Sequence, residues 1–202
     1  MIYFSSDGHH GHANIIKFCS RPYKDVNEMN ELLIHNWNSV VRPDDEVYYL
    51  GDFSLTRGVV ERTAPRLLGK KYLIPGNHDH CHPAHKKGRK NLPEQVKFYE
   101  NHGFTVLPIH YHMDIPEIGQ VNLCHMPYKG DYTDERYTEY RMENDGNWLL
   151  CGHVHEKWFH KERMINVGVD VHDFKPVALE WLVEYMKKKA NEKLCVTGLC
   201  KK

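Results

Sequence analysis

Five times along this chain an apolar, strand-like run stops on Gly, Asp, Asn or His. The endings are Asp7-Gly8-His9, Gly51-Asp52, Gly76-Asn77-His78-Asp79, His125 and Gly152-His153-Val154-His155. A chain that ends five buried strands on polar side chains needs somewhere to put them. In open α/β sheets the ligand crevice lies outside the carboxyl ends of the strands. The five endings therefore predict one shared site.

The elements between them can be read from pattern. "IYFSS" (2–6), "EVYYLGD" (46–52) and "KYLIPGNHD" (71–79) read as buried strands running into turns. Asp25 with Glu28 marks a helix start, and "MNELLIHNWNSVV" (29–41) has helical apolar spacing. "VVERTAPRLLG" (59–69) reads as a helix broken near Pro65 and stopped by Gly69. "PEQVKFYENHG" (93–103) reads as a helix with Pro93 in its first turn. Further strands are expected at 120–125, 147–153, 163–169 and 176–182. A polar helix is expected at 184–193. The order predicts an α/β fold whose second half is mostly β. Residues 1–190 are expected to form one domain, and 191–202 a frayed tail.

Composition excludes several classes. The formal net charge is zero, which argues against a nucleic-acid binder acting through bulk charge alone. No apolar run approaches the roughly 18 residues of a membrane span. The first residues read as a strand and not as a leader. The six cysteines contain no C-x-x-C pair. They read as thiols of a cytoplasmic protein. The sixteen histidines stand out, and their positions must decide their meaning.

In extended backbone, residues i and i+2 point to the same side. Asp7 with His9, and His153 with His155, are therefore expected to reach one locus per pair. Imidazole, carboxylate and amide oxygen without thiolate suit manganese, iron, nickel or zinc better than calcium. Asp7, His9, Asp52, Asn77, His125, His153 and His155 are seven candidate ligands. One ion takes roughly four to six, so seven suit two ions sharing a carboxylate. Each motif alone is weak, because Gly-Asp after a strand is usually a turn. Five together, in order and each at a strand end, are hard to produce as unrelated turns.

The series DGH, GD, GNHD, H, GHVH resembles the calcineurin-like metallophosphoesterases, from residue 3 to about residue 170. That resemblance implies a two-sheet β-sandwich flanked by helices (α/β/β/α), with two divalent ions at the strand ends. It implies that Asp7, His9 and His155 hold the first ion. Asp52 would bridge both ions, and Asn77, His125 and His153 would hold the second. His78 would stand beside the scissile phosphate. Asp79 would orient His78 or brace its turn, completing the catalytic pair. The wording "DGHHGHANII" with "RPY" also resembles a subgroup of small bacterial and phage phosphoesterases, which draws in His12 and Asn14 as substrate contacts.

Three features lie beyond this core. Arg21 is a candidate for a phosphate oxygen, since a guanidinium matches it bidentately; a surface arginine before Pro22 is the alternative. Residues 79–91 carry Lys86, Lys87, Arg89 and Lys90. They form either a nucleic-acid contact or a solvated loop. Residues 126–140 contain Tyr128, Tyr132, Tyr137 and Tyr140, suited to stacking a base or to packing. The leading expectation is a two-metal hydrolase of phosphate esters, with a nucleotide or nucleic-acid diester ahead of a monoester. A catalytically silent scaffold and a zinc-stabilised module are the other classes. The scaffold would be expected to lose ligands. The module would favour cysteine-rich sets.

Overall fold

A computed structural model describes residues 1–130 and 136–196. The described residues form ten strands and six α-helices. In chain order these are β1 (Ile2–Ser5), α1 (Ala13–Phe18), α2 (Val26–Val40), β2 (Glu46–Tyr49), α3 (Arg57–Thr63) and β3 (Lys70–Leu73). Then come α4 (Lys86–Lys90), α5 (Leu92–Glu100), β4 (Phe104–Val106), β5 (Tyr111–Ile115) and β6 (Gly119–Leu123). The last are β7 (Trp148–Cys151), β8 (His160–Lys161), β9 (Met164–Asn166), β10 (Val177–Ala178) and α6 (Leu179–Val196).

Two mixed five-stranded sheets result, ordered β10-β1-β2-β3-β4 and β5-β6-β7-β9-β8. The strands β1 to β4 pair in parallel, as do β6, β7 and β9. Parallel pairing puts the carboxyl ends of β1, β2 and β3 side by side. It does the same for β6 and β7. All five motifs follow these strands directly.

Strand alternation assigns the faces. Phe4, Leu50 and Ile74 from the first sheet share one apolar cluster with Val121, Leu123, Leu150 and Ile165 from the second. Each fully buried side chain of this kind contributes roughly 1.5–3 kcal/mol. The alternate residues Tyr3, Val47, Tyr49 and Leu73 pack outward against Ile34 and Trp37 of α2, Val60 of α3 and Tyr99 of α5. On β7, Leu149 and Cys151 face away from the shared layer. Met126, Met142, Tyr128 and Trp158 cover them. Among the described residues, that outer face is covered by loop side chains and not by an α-helix. The expected flanking helices are thus seen on the first sheet.

Several local readings hold. Asp25 caps α2, accepting from the backbone N–H groups of Asn27 and Glu28. The helix α3 stops at Thr63, and Pro65 continues as a 3₁₀ turn. One expectation fails. The strand expected over 176–182 is only Val177–Ala178, and α6 begins at Leu179. Leu182 and Met186 explain it: their i, i+4 spacing lays both against the shared layer, where both are fully buried. That helix continues to Val196, past the residue 193 expected from its polar stretch. Residues 197–202 of the expected tail, and Tyr132, lie outside the described residues. Among the described residues no helix is long and apolar enough to cross a membrane.

Candidate metal centre

The motif loops are stitched to one another before any side chain is considered. Asp7 N–H donates to Gly51 O at 3.0 Å, His9 N–H to Asp52 O at 3.1 Å, and His10 N–H to Phe53 O at 2.8 Å. Ser6 pairs with Gly168, and Val169 N–H donates to Ser6 O at 3.0 Å, tying the two sheets together at this end. The approach is close enough to require glycine. A Cβ at Gly152 would overlap Ser6 Oγ and Asp7 Oδ2, and one at Gly76 would overlap the Asp52 side chain.

Extended alternation is not what makes the ligands converge. Asp7, His9, Asp52, His153 and His155 all have left-handed backbone, with φ of 57°, 50°, 56°, 71° and 49°. Asp and His tolerate this region better than most residues. Each such residue still costs about 1–3 kcal/mol and persists only where its surroundings over-determine it. Leaving the strand in this conformation turns each side chain inward. Of the two i, i+2 pairs, Asp7 and His9 do meet in one group, through left-handed and not extended backbone, whereas His153 and His155 fall in different groups.

Six of the seven candidate ligands form two groups sharing a wall, and His155 also stands in a third with Cys19 and Asp170. Asp7, His9 and His155 offer ligand atoms all within 4.8 Å of one another, and so do Asp52, His125 and His153. Asp52 Oδ2 lies between the groups, 3.5 Å from His9 Nε2 and 3.4 Å from His125 Nε2. Its Oδ1 accepts from His78 N–H at 2.9 Å. Five buried polar atoms of these residues have no hydrogen-bond partner: Asp7 Oδ1, both ring nitrogens of His9, His125 Nε2 and Asn77 Oδ1. An orphaned buried polar atom costs about 1–3 kcal/mol. Unpartnered oxygen and imidazole nitrogen atoms beside Asp52 and Asp7 fit divalent cations.

Neighbouring groups orient these ligands. His125 Nδ1 bonds to Leu50 O at 2.7 Å, and His155 Nδ1 stands 3.3 Å from Asp170 Oδ2. Asp7 Oδ2 accepts from Ser6 Oγ and from His153 N–H, which leaves Oδ1 for an ion. Burial holds His9 well below the usual imidazole range. Burial alone would raise Asp52, but His125, His78 and His9 outweigh it and hold the carboxyl well below its ordinary value. Burial would lower His125, yet Asp52 carries it up to about 9. Burial likewise opposes a charged His155, while Asp7 and Asp170 raise it to about 11.

The remaining candidates separate. His78 sits at the rim with its side chain 46% exposed, Nε2 3.9 Å from Asp52 Oδ2. Asp79 is fully buried, and its carboxylate accepts from the N–H groups of Asp52, Phe53 and Gly76 at 2.8, 3.0 and 2.9 Å. These bonds brace the turn that carries Asn77 and His78. Burial and the charge of Asp52 push the Asp79 carboxyl up to about 7. Arg21 is not a phosphate contact. Its guanidinium is fully buried, is bidentate to Asp170 at 2.7 and 2.8 Å, and donates to the carbonyls of Gly8 and Asp7. Every direction a phosphate could approach from is taken. His12 flanks the site, its ring 5.5 Å from that of His9. Asn14 is exposed on α1. Tyr137 packs edge-on toward His153 at 6.1 Å, Tyr140 packs on His82, and Tyr128 hydroxyl meets Asn122.

Asp170 was missed by sequence reading. It lies on a 3₁₀ turn after β9, outside any motif. Its one signal is the strand-terminal position it shares with the ligands.

The chain is 34% identical to MJ1445, an uncharacterised protein of Methanocaldococcus jannaschii, over 93% of this chain and 92% of that protein. It belongs to the family of that archaeal protein. The Gene 66 protein of Mycobacterium phage L5 is 35% identical over 83% of the chain and 86% of its own length. The crystal structure of AQ665 from Aquifex aeolicus, a protein of unknown function, superposes with a TM-score of 0.68 at 26% identity, covering 92% of this chain and 98% of that one. No protein-family model matches the chain.

Proposed function

We propose that this chain is a two-metal hydrolase of phosphate esters, of the calcineurin-like metallophosphoesterase type. The observation that carries the reading is Asp52 Oδ2, standing 3.5 Å and 3.4 Å from imidazole nitrogens of two separate ligand groups. Asp7, His9 and His155 would hold one ion, and His125, His153 and Asn77 the other, with Asp52 common to both. Bound ions, manganese, iron, nickel or zinc, would supply Lewis-acid charge and an activated water for in-line displacement.

The chain's own residues do the rest. The carbonyl of Leu50 and the carboxylate of Asp170 fix the ring nitrogens of His125 and His155. Asp79 fixes the turn that carries Asn77 and His78. His78, at the rim, donates a proton to the departing oxygen, a task suited to an imidazole near neutral pH. A diester is favoured over a monoester by α4, which presents Lys86, Lys87, Arg89 and Lys90 to solvent. The helix is pinned by buried Gly88, where a Cβ would overlap His82 O. The basic segment is therefore a folded display of cations, suited to a nucleic-acid backbone. Cys19, Cys81, Cys124 and Cys151 are free thiols, in keeping with work in the cytoplasm.

The deciding experiment loads metal-free protein with manganese, nickel, zinc and magnesium in parallel. Each sample is assayed on bis-p-nitrophenyl phosphate and p-nitrophenyl phosphate. Two ions per chain with faster diester turnover is the expected result. Two ions without turnover on either ester would leave a metal-binding scaffold.

A further inference from the structure

Phe18 is the most exposed large hydrophobic side chain among the described residues, at 69%. It is not a stray of the core. The helix α1 is anchored by buried Ile15, and Phe18 takes no part in that cluster. Its ring instead meets His12, edge-on, at 6.2 Å and 76°. The His12 ring in turn lies 5.5 Å from His9. A solvent-facing aromatic thus stands two ring contacts from the candidate first-ion group.

His12 adds a second observation. Its Nδ1 is buried and has no hydrogen-bond partner. Such an atom costs free energy unless a ligand or water meets it. An exposed aromatic face beside an unmet polar edge suits a group that is itself planar and carries its own donors or acceptors. An alkyl group would leave the imidazole edge unpaired. A second phosphate would gain nothing from the phenyl ring.

Position narrows the group further. His78 and His12 both border His9, each with its ring centroid 5.5 Å away. On the hydrolase reading, on which this inference rests, His78 serves the departing oxygen. The ester group that remains on phosphorus is then the one available to His12 and Phe18. We infer that Phe18 and His12 form a subsite for a nucleobase on the retained ester group, so that the substrate is a nucleoside phosphodiester.

The test uses two esters with the same leaving group, thymidine 5′-p-nitrophenyl phosphate and methyl p-nitrophenyl phosphate, on metal-loaded protein. Phe18→Ala removes a solvent-exposed ring and leaves the core intact. It should lower the ratio of kcat/KM for the thymidine ester over the methyl ester by ~5- to 100-fold, the range of one base stacked on one aromatic. The change should fall in KM. Phe18→Trp should keep the ratio. Calorimetry gives a readout independent of turnover: Phe18→Ala should weaken binding of thymidine monophosphate by a similar factor relative to methyl phosphate. A ratio unchanged in both measurements, or equal losses on both esters, would overturn the subsite. If the parent protein turns over neither ester, the hydrolase reading is what fails. Calorimetry then still decides whether Phe18 holds a base.

Discussion

Asp170 Oδ2 stands 3.3 Å from His155 Nδ1, and the same carboxylate is clamped bidentately by Arg21. One buried acid thus links a candidate metal ligand to the guanidinium that holds the backbone carbonyls of Asp7 and Gly8. Asp170→Asn keeps the shape and removes the charge. Metal affinity at the first group should fall about 10- to 100-fold, as expected when an orienting partner of a ligating histidine is lost. Arg21 would become a buried cation without its counter-charge, a change that typically costs ~3–5 kcal/mol. Calorimetric metal titration and thermal unfolding of the same variant read the two effects separately. Full metal affinity in the folded variant would remove Asp170 from the metal site.

Asp52→Asn tests the shared wall. The amide oxygen can still accept from His78 N–H, so the turn should survive. What is lost is the charge between the two groups. Stabilisation by the ions is worth several kcal/mol, so phosphodiester turnover should drop about a thousandfold or more. At least one ion per chain should also be lost by elemental analysis. Undiminished turnover in a metal-replete sample would sink the shared-carboxylate arrangement.

His78→Ala separates proton donation from metal binding. An alkoxide leaving group needs a proton in the transition state, whereas p-nitrophenolate does not. The variant should slow hydrolysis of an alkyl or nucleoside leaving group by on the order of 10²–10⁴ more than that of a p-nitrophenyl ester. Both ions should stay bound. Equal slowing of both ester types, or loss of an ion, would make His78 a ligand or a charge stabiliser.

Metal binding should be coupled to pH. In the metal-free protein His125 and His155 are raised to about 9 and about 11, Asp52 and Asp7 being the neighbours that hold their protons. An ion must displace those protons. Affinity should therefore rise with pH through the neutral range, by about tenfold per unit for each proton released. Calorimetry at pH 7 in two buffers of different ionisation enthalpy should count at least one proton. Metal-free stability should move the other way. A histidine raised from 6.5 contributes stability that is full below that value and lost as pH rises through about 9 for His125. Chelated protein should melt at falling temperature from about pH 6.5 upward. A metal affinity flat between pH 6 and 9 would contradict the His125–Asp52 pairing.

Much of the site is legible in the residues themselves. A polar side chain at the end of a buried strand has few places to go, and parallel pairing brings neighbouring strand ends together. That reasoning reaches Asp7, His9, Asp52, Asn77, His125, His153 and His155 without coordinates. The glycines at 76 and 152 are legible for a related reason, because backbone approaching a carboxylate leaves no room for Cβ.

Other features depend on contacts far apart in sequence. Arg21 has the chemistry of a phosphate ligand, and only its burial against Asp170, 149 positions away, makes it a clamp. Sequence left Asp79 either orienting His78 or bracing its turn, and the three backbone N–H groups that its carboxylate accepts from favour the brace. The start of α6 at Leu179 was hidden because a short apolar run fits strand and helix alike, and Leu182 and Met186 decide it by burial. The left-handed φ of five ligands is set by hydrogen bonds between loops that no local pattern encodes. Sequence by itself determined which side chains are available at the strand ends. Tertiary structure decided which way each one faces, because direction follows from whichever partners fill the remaining hydrogen-bonding positions.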